Sequence, residues 1–195
     1  KDYRNSLDEG ADIVTILSPV GSAGAQYSVF GWSPGNGLGA DTVPGPNTVW
    51  DIVEGDTLSV GQTIVLEWDN GAGQLFRREV SVDANYMFDV IQSVTNTANT
   101  AVRAAPYGMI ARHGIPQDIK NFFILHEGAV AMANGELAET DWDNIPDAEV
   151  DPDWGRPAIV TEDVVDGWIG FTDHYWQSIL VPTGVTSFAQ ALTYA

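Results

Sequence analysis

The stretch Thr63-Ile64-Val65-Leu66-Glu67-Trp68-Asp69-Asn70-Gly71-Ala72-Gly73-Gln74-Leu75-Phe76-Arg77-Arg78-Glu79-Val80-Ser81-Val82 decides the fold class. Ile64, Leu66 and Trp68 alternate with Thr63, Val65 and Glu67. Phe76, Val80 and Val82 alternate with Arg77, Glu79 and Ser81. A period of two puts successive side chains on opposite faces of a strand. Asp69 to Gly73 is turn chemistry, so the two runs form an antiparallel hairpin. Asp83-Ala84-Asn85 turns the chain again, and Tyr86, Phe88, Val90 and Val94 supply the next face, opposite Asp89 and Ser93.

The same pattern extends outward. Tyr27–Trp32 and Ile13–Leu17 are strand candidates, the second ending at Ser18-Pro19 because proline cannot donate to a ladder. Residues 33–47 hold Pro34, Pro44 and Pro46 among repeated glycines and are expected to be a long irregular loop. Val102–Ile110 is a weaker strand interrupted at Pro106, and Phe122–His126 is a compact apolar run. Ala129–Ala133 and Glu136–Thr140 flank Asn134-Gly135, the best hairpin signal in the chain. Ser187–Tyr194 is the last strand candidate.

Between these lies a second hairpin, from Asp166 to Pro182. Trp168–Phe171 and Tyr175–Val181 flank a polar break at Thr172, Asp173 and His174. No segment carries a convincing helical period. The expected class is all-β, a sandwich or barrel of short antiparallel strands in one domain spanning 1–195. The strand-like end suggests a part of a larger β domain.

Charge and composition narrow the function. The chain has 27 acidic and 8 basic residues, a formal net charge of -19. That excess opposes nucleic acid and anionic lipid headgroups, which select basic patches. There are no cysteines, which excludes disulfides, thiolate catalysis and cysteine-ligated zinc. No apolar run reaches the length of a membrane span.

Candidate chemistry is sparse. Asp173-His174 and His126-Glu127 are possible acid–base pairs, but adjacent strand residues face opposite ways. His126 is better read as a hydrogen-bonded residue at a strand end, and His174 as a turn residue. The acidic segment 141–153 does not match a calcium loop and is read as a solvated surface loop. Asp141, Asp143, Asp147 and Asp151 are the candidates there for docking a partner. No catalytic, metal or cofactor residue is expected. An alternative is a carbohydrate-binding or mutarotase-like module, with Trp32, Trp50, Trp142 or Trp154 stacking on sugars; for Trp50, packing within the fold is preferred.

Several ordered stretches resemble one family. They are Leu17-Ser18-Pro19, Trp68-Asp69-Asn70-Gly71, Tyr86-Met87-Phe88, Tyr107-Gly108 with Arg112-His113-Gly114, Leu125-His126-Glu127-Gly128, and Gly167 to Pro182. Together they are similar to the periplasmic domain of bacterial membrane protein insertases of the YidC family. The resemblance implies an antiparallel β-supersandwich of the galactose mutarotase type, placed in the periplasm of an inner-membrane protein. It implies a non-catalytic scaffold or docking surface. It also implies partners: the Sec translocon with its accessory subunits, and nascent inner-membrane proteins handled by transmembrane parts that this sequence does not contain. No cofactor is implied.

Overall fold

A computed structural model describes residues 3–4, 6–22, 24–116, 126–173 and 176–194. The chain is all-β and its sheets are antiparallel, the class of a β-sandwich. It parts into two compact units, residues 30–108 and residues 1–29 with 109–195. Among the described residues no helix is long and apolar enough to cross a membrane.

Strand β1 (Gln26–Pro34) is followed by β2 (Asp51–Glu54), β3 (Thr63–Asp69), β4 (Gln74–Val82), β5 (Phe88–Asn96) and β6 (Ala104–Arg112). β2-β3-β4-β5 form one meander, with Trp68 opposite Phe76 and Phe76 opposite Val94. The face carrying Ile64, Leu66, Trp68, Phe76 and Val80 joins the core through Trp68 and Phe76, while Ile64, Leu66 and Val80 are half-buried. Phe76 is fully buried and forms a core with Trp32 and Val43, against which Leu38, Trp50, Trp68, Val94 and Ala104 pack. The irregular loop is therefore not a mere connector, since Leu38 and Val43 close this core. Val65, on the opposite face, is also buried. There it lies opposite Glu79 and beside the Glu67–Arg77–Glu79 ion-pair group.

β1 and β6 pair with each other. Gly35 N–H donates to Arg103 O (2.8 Å) near one end and His113 N–H to Ala25 O (2.8 Å) near the other. Pro106 lies inside β6, and β6 has only β1 as a hydrogen-bonded neighbour among the described residues. A missing N–H is tolerated on such an open side.

The other unit contains β7 (Gly128–Ala133), β8 (Glu136–Asp141), a short 3-10 helix (Trp142–Asp147), β9 (Val150–Asp151), β10 (Arg156–Val164), β11 (Gly167–Thr172), β12 (Gln177–Leu180) and β13 (Phe188–Thr193). One sheet runs β12-β11-β7-β8 and another β13-β10-β9. At the β7–β8 turn Asn134 has φ 51° and Gly135 φ 90°. Both are left-handed, as a two-residue type I′ turn demands. Ala129, Trp142 and Ile145 form the core here, with Phe171 and Leu192 packed on it.

Two strand expectations need correction, and two observed strands lie outside the expectations. Ile13–Leu17 forms no strand; isolated bridges, Arg4 with Ile13 and Ser18 with Gln26, and the Val14 N–H donated to Tyr3 O (2.9 Å) hold this region. Its β-branched residues satisfy propensity, but among the described residues no strand pairs with them, and propensity without pairing does not make a sheet. The second hairpin breaks later than expected, with β11 and β12 closing at Thr172–Gln177. Trp176 therefore belongs to the loop. β2 and β10 lack sequence signals strong enough to expect: β2 is short and wholly exposed, and β10 carries a bulge between Thr161 and Val164 with Asp163 at φ 54°. Such a bulge breaks the period of two that identifies strands. His174, Tyr175 and Phe122–Leu125 lie outside the described residues.

Candidate functional site

The acidic segment is shaped by two buried anchors. Trp142 and Ile145 turn inward from the 3-10 helix, so that Asp143 and Asp147 remain exposed. Asp141 is exposed too, with Oδ1 3.4 Å from His126 Nδ1. His126 Nε2 lies 2.8 Å from Ala129 O. A carbonyl only accepts, so Nε2 carries the proton, and the contact with Asp141 is an ion pair only when the ring is doubly protonated. Asp151 differs from the other three. Its Oδ1 accepts the N–H groups of Asp153 (2.9 Å) and Trp154 (3.1 Å), and its carbonyl accepts Gly155 N–H (2.8 Å). It builds the β9–β10 turn. Among the described residues, no three His, Asp or Glu side chains gather as a metal site.

Asp173 begins the β11–β12 loop, and its N–H donates to Trp176 O (2.7 Å). Its carboxylate faces Arg112 Nη1 at 3.5 Å. Arg112 Nη1 also donates to Gln26 Oε1 (3.0 Å), and Gln26 Nε2 to Ser178 Oγ (2.8 Å). This chain of polar contacts links β6, β1 and the second hairpin. The Arg112 guanidinium lies over the Trp142 ring at 5.5 Å. Asp173 thus holds the loop through an arginine. A cleft of about 690 Å³ opens beside this network, lined by Tyr3, Ile13, Gln26, Arg112 and Trp176 among others. Tyr3 and Trp176 meet edge to face at 5.0 Å. His113 lies at the end of β6, with Nε2 3.1 Å from the Tyr27 hydroxyl.

The tryptophans divide differently from the sugar-stacking expectation. Trp32 and Trp142 are 4% and 7% exposed and belong to the two cores. A ring buried on both faces cannot stack on a ligand. Trp50 is half-buried, and Trp154 is exposed.

Sequence reasoning missed Arg78. Its guanidinium lies 4.9 Å from the Trp50 ring centre and 5.5 Å from that of Trp32. Nη2 donates to Phe30 O, and Nε is buried without a partner among the described residues. Burial pushes this guanidinium below the ordinary arginine range, and Tyr107 opposes the shift. The usable signal was parity: counting by two from Phe76 to Val80 lands on Arg78.

Fold and side chains define an all-β protein of antiparallel sheets in which Arg77, Arg78 and Arg112 hold strands and loops together. The chain belongs to the family of YidC periplasmic domains, whose model matches residues 1–194. It is 58% identical over 182 residues to a protein of Roseobacter denitrificans, covering 93% of this chain and 30% of the relative. It is 52% identical over 199 residues to one from Ruegeria pomeroyi, covering 100% of this chain and 33% of the relative. Both relatives are named membrane protein insertase YidC. The chain thus spans about a third of the length of these curated relatives.

Proposed function

We propose that this chain is the periplasmic part of an inner-membrane protein insertase, a scaffold and docking surface that performs no chemistry itself. The whole protein would insert and fold inner-membrane proteins, alone or with the Sec translocon. The observation that carries this reading is the family match across residues 1–194, together with relatives named as insertases that are about three times as long. The physics agrees. Arg77, Arg78 and Arg112 all serve contacts within the fold, and the acidic surface suits recognition of a basic partner.

Within this reading, Asp141, Asp143 and Asp147 are the docking residues. Asp151 is assigned to the turn it builds. The test uses the full-length protein in membranes. Deleting this domain should leave insertion of a simple substrate measurable and reduce co-purification with Sec components. Neutralising Asp141, Asp143 and Asp147 to Asn should reproduce the co-purification loss alone. Unchanged co-purification in both variants would remove the docking role.

A further inference from the structure

The chain contains three Asn-Gly dipeptides, at Asn36-Gly37, Asn70-Gly71 and Asn134-Gly135. Asparagine before glycine is chemically labile, because glycine leaves the next backbone nitrogen unshielded; asparagine is among the thermolabile residues for this reason. The fold treats the three sites differently.

Asn70 is tied at both ends of its amide. Nδ2 donates to Thr42 O (3.0 Å) and Gln74 Oε1 (2.9 Å), while Oδ1 accepts from Ala72 (2.9 Å) and Gln74 (3.1 Å). The attacking nitrogen is also engaged, since Gly71 N–H donates to Asp69 Oδ1 (2.8 Å). Asn134 is held by Asp163 O (3.3 Å), Val165 N–H (2.8 Å) and Asp166 N–H (3.3 Å). Asn36 is exposed, and among the described residues neither its side-chain amide nor the Gly37 N–H makes a hydrogen bond.

The turn at Asn36 also forces glycine to follow. Leu38 N–H bonds back to Gly35 O (3.0 Å), with Gly37 at φ 85° in the third position. That is the left-handed position of a type II turn. A Cβ on Gly37 would also come within 3.1 Å of Ala101 O. The backbone requirement for glycine therefore creates the reactive dipeptide.

We propose that Asn36 is a site of spontaneous deamidation in the folded protein. The Gly37 backbone nitrogen loses its proton to solvent and attacks Asn36 Cγ. The N–Cγ bond forms, and the Cγ–Nδ2 bond breaks. Nδ2 takes up a proton and leaves as ammonia, giving a five-membered succinimide. Water then opens either ring carbonyl to give aspartate or isoaspartate. One water is consumed, one ammonia is released and no electrons are exchanged. The product gains a negative charge, and the isoaspartate form also lengthens the backbone by one methylene. That extension falls just before Leu38, which packs on the core around Trp32 and Phe76.

The test is peptide mapping by mass spectrometry after incubating the intact chain at mildly alkaline pH, folded and in concentrated urea. In the folded chain Asn36 should deamidate at least about tenfold faster than Asn70 or Asn134, the factor that one net hydrogen bond supplies. In urea the three rates should converge. Asn36→Gln, which would need a larger ring, should abolish the mass gain at this site. The proposal is overturned if Asn70 or Asn134 reacts as fast as Asn36 in the folded chain. It is equally overturned if Asn36 stays intact when folded yet reacts in urea.

Discussion

Asn134 Oδ1 accepts the backbone N–H of Val165 at 2.8 Å, across 31 positions of sequence. The same oxygen takes Asp166 N–H at 3.3 Å, and Asn134 N–H donates to Asp166 O at 2.7 Å. The tip of one hairpin thus fixes the corner from which β11 enters the sheet. It does so next to the bulge where Asp163 has a positive φ.

The corner yields a first prediction. Asn134→Gly keeps the left-handed turn accessible and removes only the side chain. Loss of its three hydrogen bonds, all partly solvated, should cost about 1–2 kcal/mol. Urea denaturation followed by intrinsic fluorescence measures this. A loss below a few tenths of a kcal/mol would mean that the corner holds without the amide.

This clamp also shows what sequence can and cannot convey. The Asn134-Gly135 turn was legible because its chemistry is local: two adjacent residues must take positive φ. The partner corner at 163–166 was not, because a hydrogen bond across 31 residues leaves no periodic trace. The meander from Thr63 to Asn96 was legible for the same local reason. Ile13–Leu17 misled because β-branched residues state a propensity and not a partner. Trp32 and Trp142 could not be sorted from Trp154 by composition, since burial depends on what returns to cover them. The acidic candidates were visible as charges, but only geometry separates Asp151, which caps a turn, from exposed Asp143 and Asp147.

Phe76 carries the second prediction. It is fully buried, with Trp32 edge-on at 5.2 Å and Trp68 at 5.7 Å. Phe76→Ala should cost about 3–5 kcal/mol through lost burial and a residual cavity. Phe76→Leu keeps most of the volume and should cost roughly half as much or less. Equal losses for the two variants in denaturant titrations would contradict this packing account.

Arg78 gives the third. Its planar guanidinium lies near two indoles while donating to Phe30 O. A lysine has a compact ammonium that cannot reproduce both contacts. Arg78→Ala should therefore cost about 2–3 kcal/mol, combining lost packing, cation–π contact and the hydrogen bond to Phe30 O. Arg78→Lys should recover less than half of that. Both variants should change tryptophan emission, because Trp32 and Trp50 lose the guanidinium near their rings. Full recovery by lysine would show that charge alone matters here.

The fourth prediction separates docking from architecture within the acidic segment. Asp143 and Asp147 are exposed, and neither side-chain carboxylate makes a hydrogen bond among the described residues. Their replacement by Asn should change stability by no more than about 0.5 kcal/mol. Asp141→Asn removes a contact with His126 in which the carboxylate is largely solvated, so its cost should fall within about 0–1 kcal/mol. Asp151→Ala is different in kind, because two backbone N–H groups lose their acceptor at the start of the β9–β10 turn. That should cost about 1–2 kcal/mol, comparable to removing a helix cap. Thermal or urea unfolding of the four single variants distinguishes the cases. If Asp143→Asn or Asp147→Asn destabilises the domain as much as Asp151→Ala, these carboxylates hold the fold, and their assignment to partner docking fails.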